Sequence, residues 1–358
     1  MRKNFDAIGL MSGTSLDGLD IAFCEFRLNG SKWEFDILKA ETVKYTQVWL
    51  QLLSEAPSLD GQGLALLHTS YGHWIGQTVD QFIKKHKINP KIIASHGHTI
   101  FHRPNDRMTL QIGSGAAIAA ETGITTVNDF RSLDIALGGQ GAPLVPIGDK
   151  LLFSDYDACV NIGGFANISL DSANSRKAFD ICPANIVLNW LANKLGLPFD
   201  ASGSIASNNS IDETLLRKLE DLDYYKKTGP RSLGREWVEQ IVIPLLESSN
   251  LDVAVLLSTF TRHIAMQISS KLPQNKDSKV IFTGGGAHNN YLIQSIRNLS
   301  NCEIIVPNDL LIDFKESLIF ALLGVLRMQG MINCLSLSTG ASKDSCSGAI
   351  HLGSRKLE

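Results

Sequence analysis

The sequence predicts an α/β protein built from two related halves, and three passages carry that prediction. In the first, an apolar run from Ala7 to Met11 stops at the small, hydroxyl-rich turn Ser12-Gly13-Thr14-Ser15-Leu16-Asp17-Gly18 and restarts from Leu19 to Phe26, a β-hairpin. The second passage repeats the theme: Ala158 to Ile162 is apolar, Gly163-Gly164 turns, and Ala166 to Leu170 alternates as a strand. The third is Val280-Ile281-Phe282-Thr283 running into Gly284-Gly285-Gly286, with a helix predicted from about Asn290 to Leu299. Recurrence of one supersecondary theme predicts two halves facing one another across a cleft.

The elements follow in order. The hairpin at 6–28 continues into a third strand, Trp33 to Thr42. Helical patterns follow at 46–56 and 62–86, the second with Leu64, Leu67, Tyr71, Trp74, Ile75, Val79 and Phe82 on one face. Ile92-Ile93-Ala94 reads as a short buried strand feeding a loop, Ser95-His96-Gly97-His98-Thr99. A helix is predicted from Ser114, its N-cap, to Glu121, ending at Gly123. The polar, glycine-rich passage from Val127 to Pro143 is too long for a simple connection and reads as a functional loop or domain crossover. The last long helix is predicted at 314–329.

Bulk properties narrow the function. The 358 residues suffice for two domains and a sizeable core, and 44% hydrophobic with 19% charged residues is ordinary for a globular protein. A net charge of −3 gives no reason to expect a nucleic-acid partner, and no apolar run is long enough for a membrane span. No signal-peptide h-region follows the N-terminus. The six cysteines are scattered without a C-x-x-C pair, which reads as thiols in a reducing compartment, the cytoplasm.

The glycine turns suit anion binding. Glycine lets backbone N–H groups approach a phosphate, hydroxyls add donors, and a carboxylate such as Asp17 or Asp20 can hold Mg²⁺. Gly163-Gly164 and Gly284-Gly285-Gly286 extend this to a two-sided nucleotide site. None of the three turns has P-loop or dinucleotide-fold spacing. Phosphoryl transfer needs a base, and Asp180 sits at a strand end ahead of a helix whose N-terminus would favour its anion, or simply caps that helix. Arg131 could fork onto a substrate carboxylate or pair with Asp134 at the surface. His96, His98 and His102 admit a metal-dependent hydrolase, the H-x-H portion placing two rings on one face. A serine-hydrolase reading fails because Leu10 stands where G-x-S-x-G needs glycine, and Cys182 has no identifiable partner.

These motifs resemble the anhydro-N-acetylmuramic acid kinase family. The resemblance rests on Gly9 to Asp20, Ser95-His96-Gly97-His98-Thr99, Asp129-Phe130-Arg131, Gly138 to Pro146 and Asn161 to Ile168. Ser232-Leu233-Gly234-Arg235-Glu236, Thr283 to Gly286 and Thr339-Gly340-Ala341 complete it, across nearly the whole chain. It implies a two-domain actin-like ATPase fold, ribonuclease H-like in each domain, over 1–130 (with 346–358 completing it) and 131–345. It also implies cleavage of a 1,6-anhydro ring by water coupled to ATP-dependent phosphorylation of O6, in cell-wall recycling, by a homodimer. Under the resemblance Asp180 is the general base and Glu316 a second site carboxylate. Gly13, Thr14, Ser15, Leu16, Asp17, Gly18, Leu19 and Asp20 bind ATP with Mg²⁺. His98, Thr99, Arg131 and Asn185 hold the sugar.

The chain departs from the family pattern in Ile181-Cys182-Pro183-Ala184-Asn185, where T-G-P-G-N is usual, in His98 for glutamine and in Ser114 for aspartate. Besides the kinase, the residues leave open a related sugar kinase with another amino sugar, a nucleotide-driven switch or chaperone-like ATPase, and the histidine-based hydrolase.

Overall fold

A computed structural model describes residues 3–13, 16–172, 175–226 and 233–354. The turn residues Thr14 and Ser15, and Ser232 of the S-L-G-R-E motif, lie outside the described residues. The strands are β1 (Lys3–Ser12), β2 (Leu19–Asn29), β3 (Lys32–Val43), β4 (Ile92–Arg103), β5 (Met108–Ile112) and β6 (Thr125–Asn128). They continue as β7 (Ala158–Ile162), β8 (Phe165–Ser172), β9 (Ser175–Pro183), β10 (Lys279–Thr283), β11 (Glu303–Ile305) and β12 (Ala349–His351). The chain divides into two compact units, Met1–Leu152 with Phe314–Glu358, and Phe153–Asp313.

Each unit repeats one sheet plan. In the first, the order is β12-β6-β4-β1-β2-β3, with β5 paired to the outer part of β4. β1, β2 and β3 form an antiparallel meander, and β4 and β6 run parallel to β1. In the second unit the order is β11-β10-β7-β8-β9, with β7, β8 and β9 antiparallel and β10 and β11 parallel to the set begun by β7. The shared order, an antiparallel three-strand meander extended by two parallel strands beside its first, is the ribonuclease H-like arrangement. It is the structural form of the sequence repeat.

β1 is buried on both faces from Ala7 to Leu10. Ile8 and Leu10 point into a core with Tyr71, Ile75 and Val79 of the helix Gly61–His86. Gly9 points the other way, and a Cβ there would lie 1.7 Å from the carbonyl oxygen of Ser317. The helix Asp309–Met328 therefore rests its backbone directly on β1. It does so again at Gly324, where an added Cβ would come 2.6 Å from Cβ of Ala94 in β4. The second core gathers Val160 and Ile162 of β7 with Leu188 and Leu191 of the helix Asn185–Asn193 and Phe260 and Ile264 of the helix Val253–Ser269.

Local signals were accurate where side chains make the stop. Asp60 caps the helix at 61–86 by accepting from the Gly63 N–H at 2.7 Å, and Ser114 caps the helix Gly115–Thr122, which ends at Gly123 in the left-handed region. The last helix begins earlier than expected, at Asp309. The largest correction is at Ser95 to Thr99: it is no loop, because β4 runs on to Arg103 and pairs with β5. A bulge opposite Leu10 and Ser12 gives β4 one extra residue, and Gly97, at φ 73°, absorbs it. His96 and His98 consequently do not share a face. His98 meets Tyr71, and His96 meets Phe320. Among the described residues no helix is long and apolar enough to cross a membrane.

Two stability experiments test this packing. Gly9→Ala should destabilise the protein by about 2–3 kcal/mol, because backbone rather than a flexible side chain blocks the new methyl group. An unchanged urea midpoint would contradict the direct backbone contact. Lys315 and Asp149 form an ion pair at 2.7 Å with 4% and 2% of their side chains exposed. Lys315→Met alone should cost roughly 3–5 kcal/mol by stranding a buried carboxylate, and adding Asp149→Leu should restore much of the loss. Strictly additive losses in that double-mutant cycle would show that the pair is not coupled.

Candidate active site

In the first unit the candidate residues gather where the parallel strands β1, β4 and β6 end, the edge at which open α/β sheets hold ligands. Past Ser12 the chain turns, with the Leu16 N–H donating to the Gly13 carbonyl at 3.2 Å. Gly18 admits no side chain, since a Cβ would sit 2.7 Å from the Val43 carbonyl oxygen. Asp17 is exposed, and Asp20, on β2, accepts the Thr42 hydroxyl at 2.5 Å.

Arg131 follows β6 and is not a surface partner of Asp134. Its Nε and one terminal nitrogen donate to His96 Nε2 at 3.1 and 2.9 Å, and the other donates to the Gly141 carbonyl at 2.6 Å. His96 can accept there because its Nδ1 donates to the Gly97 carbonyl at 2.9 Å. Burial, then the Arg131 charge, push this imidazole well below its ordinary pKa, so it stays neutral. Burial lowers Arg131 itself to about 10, against the pull of Glu316. Glu316 is raised by burial, against Lys315 and Arg131. Asp134, wholly buried, instead accepts the Gly141 N–H at 2.8 Å and the Thr339 hydroxyl at 2.7 Å, pinning the glycine-rich passage that touches Arg131. His98 bonds through Nδ1 to the Ser12 hydroxyl at 2.8 Å, and burial lowers it to about 4. Thr99 accepts from Gln111 Nε2 at 3.3 Å.

In the second unit the glycine turns converge on Ile162. The Gly164 carbonyl accepts the N–H groups of Ala184 and Ile186 at 2.8 and 3.2 Å, and the Gly163 carbonyl that of Asn185 at 3.1 Å. The β7–β8 turn is thus seated on the first turn of the helix Asn185–Asn193. The Asn185 side chain donates to the Ile162 carbonyl at 3.3 Å. A Cβ at Gly286 would lie 2.2 Å from Ile162 Cγ2, and one at Gly284 2.6 Å from Asn161 Oδ1. Gly284 also adopts φ 81°. Glycine is therefore enforced at 284 and 286 by packing against Asn161 and Ile162.

Asp180 differs from the sequence expectation. It lies within β9, opposite Asn167, and the following helix is capped by Ala184 without a side-chain bond. Asp180 Oδ2 accepts the Leu233 N–H at 2.9 Å, and its carbonyl accepts the Tyr224 hydroxyl at 2.7 Å. Burial raises its pKa, the Leu233 N–H opposing. A helix terminus is not what sets its charge.

Sequence reading missed several partners: His96 for Arg131, Asp149 for Lys315, and Tyr224 and Leu233 for Asp180. Only Ser12, a polar residue ending an apolar strand, gave a local signal. The metal reading of His96, His98 and His102 has no support: both His96 nitrogens are committed, and the described residues contain no group of three or more His, Cys, Asp or Glu side chains placed to hold a metal ion. An exposed Asp17 with a nearby Asp20 offers oxygen ligands alone. That suits a hard cation which keeps its waters and shares phosphate oxygens, as Mg²⁺ does.

Comparison with known proteins agrees with the sequence motifs. The family model for anhydro-N-acetylmuramic acid kinase matches residues 6–353. The curated anhydro-N-acetylmuramic acid kinase of Francisella tularensis subsp. novicida is 33% identical, over 96% of this chain and 98% of that one. The protein of the same name from Gloeobacter violaceus is 36% identical at the same coverage. Among solved structures, the activator of the 2-hydroxyisocaproyl-CoA dehydratase from Clostridium difficile with bound ADPNP matches at TM-score 0.42 and 16% identity, over 90% of this chain and 94% of that one. With a family match across nearly its whole length and close agreement in length with those curated relatives, the chain belongs to the anhydro-N-acetylmuramic acid kinase family.

Proposed function

We propose that this protein is an ATP-dependent kinase that opens the 1,6-anhydro ring of 1,6-anhydro-N-acetylmuramic acid with water and phosphorylates O6. The products are N-acetylmuramic acid 6-phosphate and ADP, formed in peptidoglycan recycling. Family membership supports the reaction, and Asp180 is the observation that carries the mechanism. A partly buried carboxyl raised above the ordinary aspartate value is a better general base near neutral pH than an exposed one.

Asp180 takes a proton from water as the water oxygen bonds to C1. The C1–O6 bond breaks, and its electron pair goes to O6. O6 then bonds to the γ-phosphorus, and the bridging P–O bond breaks to release ADP. The Leu233 N–H on Oδ2 orients the base. The turn from Gly13 to Asp20 in the first unit, and Gly163, Gly164, Gly284, Gly285 and Gly286 in the second, are the nucleotide-binding candidates, although the Gly163 and Gly284 N–H groups already donate to the Phe165 and Ile312 carbonyls at 3.1 Å. Asp17 and Asp20 are the carboxylates that would hold Mg²⁺, which when bound would neutralise phosphate charge. Arg131, already aligned by His96 and Gly141, is the cation for the lactyl carboxylate, and Glu316 balances its charge. His98, Thr99 and Asn185 contact the sugar. The buried cysteines Cys24, Cys159, Cys182, Cys302 and Cys334 form no disulfide, which suits a cytoplasmic enzyme, and we take the working unit to be a homodimer.

A coupled assay should detect ADP release only when the anhydro-sugar is present. Equal turnover without sugar would mean a switch-like ATPase instead. Asp180→Asn should lower kcat by roughly 10²- to 10⁴-fold while ATP affinity stays near normal. Near-normal turnover would remove Asp180 as the base. The kcat/KM profile should lose activity tenfold per pH unit on its acid side, at a midpoint above the ordinary aspartate value of 3.8. Because the folded pKa is raised, the native state binds this proton more tightly than the unfolded chain. Stability from Asp180 is thus lost as pH rises, and Asp180→Asn should not lower the melting temperature at neutral pH.

A further inference from the structure

Asp180 stands beside an irregularity in its strand. β9 pairs Asp180 with Asn167 but Cys182 with Ala166, so Ile181 is the extra residue of a β-bulge. Packing explains the extra residue. Ile181 and Cys182 are both fully buried in the second core, whereas a regular strand turns successive side chains to opposite faces. A bulge is a place where a strand re-aims a side chain, and the adjoining side chain here is the carboxyl of Asp180. The Asp180 carbonyl accepts the Tyr224 hydroxyl at 2.7 Å, and its Oδ2 accepts the Leu233 N–H at 2.9 Å. The backbone and the carboxyl of this residue are thus held by separate donors.

Tyr224 lies in a four-residue helix, Asp223–Lys226, too short to hold its place by its own hydrogen bonds. Side-chain contacts hold it instead. Tyr224 is 6% exposed, and its ring centroid lies 5.5 Å from that of Tyr225 and 5.4 Å from that of Trp237. The Tyr225 hydroxyl meets His263 Nε2 at 2.9 Å. His263 Nδ1 meets Glu220 Oε1 at 2.5 Å, and Glu220 Oε2 accepts from Gln267 Nε2 at 2.7 Å. The His263 side chain is 0% exposed, so this polar tie is built into the packing of the helix Val253–Ser269 and is not laid on its surface. No step of the proposed reaction uses it.

Resting on the kinase reading above, we propose that Tyr224 is a positioning residue for the base, its hydroxyl fixing the bulged backbone that aims the Asp180 carboxyl, and that Glu220, His263 and Tyr225 anchor the short helix that carries it. A general base must meet the water it activates at hydrogen-bond distance. A bulge interrupts the ladder that would otherwise fix the strand there. A displacement of about 1 Å at such a group can cost on the order of 10²-fold in rate. The Tyr224 hydroxyl removes that freedom at the backbone, and the Leu233 N–H removes it at the carboxyl. Neither Tyr224 nor His263 needs to touch the sugar or the nucleotide to do this. The effect therefore falls on kcat and not on the affinity for either substrate.

Tyr224→Phe keeps the ring and removes only the hydroxyl. It should lower kcat on the order of 10-fold, with KM for the anhydro-sugar and for ATP within about twofold. A freed backbone loosens the Leu233 N–H contact, which favours the carboxylate, so the acid limb of kcat/KM should move to higher pH. Carbon-13 NMR of labelled aspartate carboxyls, with Asp180 assigned through Asp180→Asn, should show the same upward move without any substrate. Tyr225→Phe, which cuts the tie to His263, should move that titration the same way by less. In the Asp180→Asn background Tyr224→Phe should cost nothing further, because its effect runs through the carboxyl. Loss by the same factor in that background, or an Asp180 titration unmoved by Tyr224→Phe, would overturn the positioning role. A titration unmoved by Tyr225→Phe would overturn the anchor. Near-normal turnover of Asp180→Asn would instead sink the base assignment, while the carboxyl titration, which needs no turnover, still decides whether Tyr224 positions the group.

Discussion

Gly9 is the constraint on which the first unit depends. With no side chain there, the helix Asp309–Met328 lies with its backbone against β1, and three consecutive residues of that helix take up their tasks. Lys315 turns to Asp149, Glu316 comes under the influence of Arg131, and the Ser317 hydroxyl reaches the Asp20 carbonyl at 3.4 Å. A methyl group at position 9 would displace all three together. The second unit uses the same device beside its own first strand, where Gly284 and Gly286 bring the end of β10 against Asn161 and Ile162. Both units thus use glycine to bring a neighbouring element's backbone against the first strand of the sheet.

Burial does the electrostatic tuning. It raises Asp180 and Glu316, lowers Arg131, and keeps His96 and His98 uncharged. The two histidines, separated by Gly97, meet different partners. His96 donates from Nδ1 and offers Nε2 to a guanidinium, while His98 bonds through Nδ1 to the Ser12 hydroxyl. The bulge that turns them to opposite faces is what lets one align a cation and the other meet Ser12 and Tyr71.

Much of the fold was legible in the sequence because it is written in local patterns. The hairpin runs, the apolar stripe from Leu67 to Phe82 and the Asp60, Ser114 and Gly123 helix boundaries each need only a few neighbouring residues to be recognised. The strand from Ser95 to Arg103 was not legible, because its polar histidines and Gly97 look like a loop until β5 supplies a partner. The site was legible as a set of residue types, through motifs that match a family across nearly the whole chain. Its internal geometry was not, because Arg131 with His96, Lys315 with Asp149 and Asp180 with Leu233 join residues far apart in sequence. Where Asp180 seemed to borrow its charge state from a helix terminus, burial and the Leu233 backbone N–H act on it instead.

The central claim is that one water opens the anhydro ring while the γ-phosphoryl group goes to O6. Running the reaction in oxygen-18-labelled water and stopping it early tests this most directly by mass spectrometry. The account predicts one labelled oxygen on C1 of the sugar phosphate, none in its phosphoryl group, and one ADP per labelled sugar. Label in inorganic phosphate, with the sugar unlabelled, would contradict it.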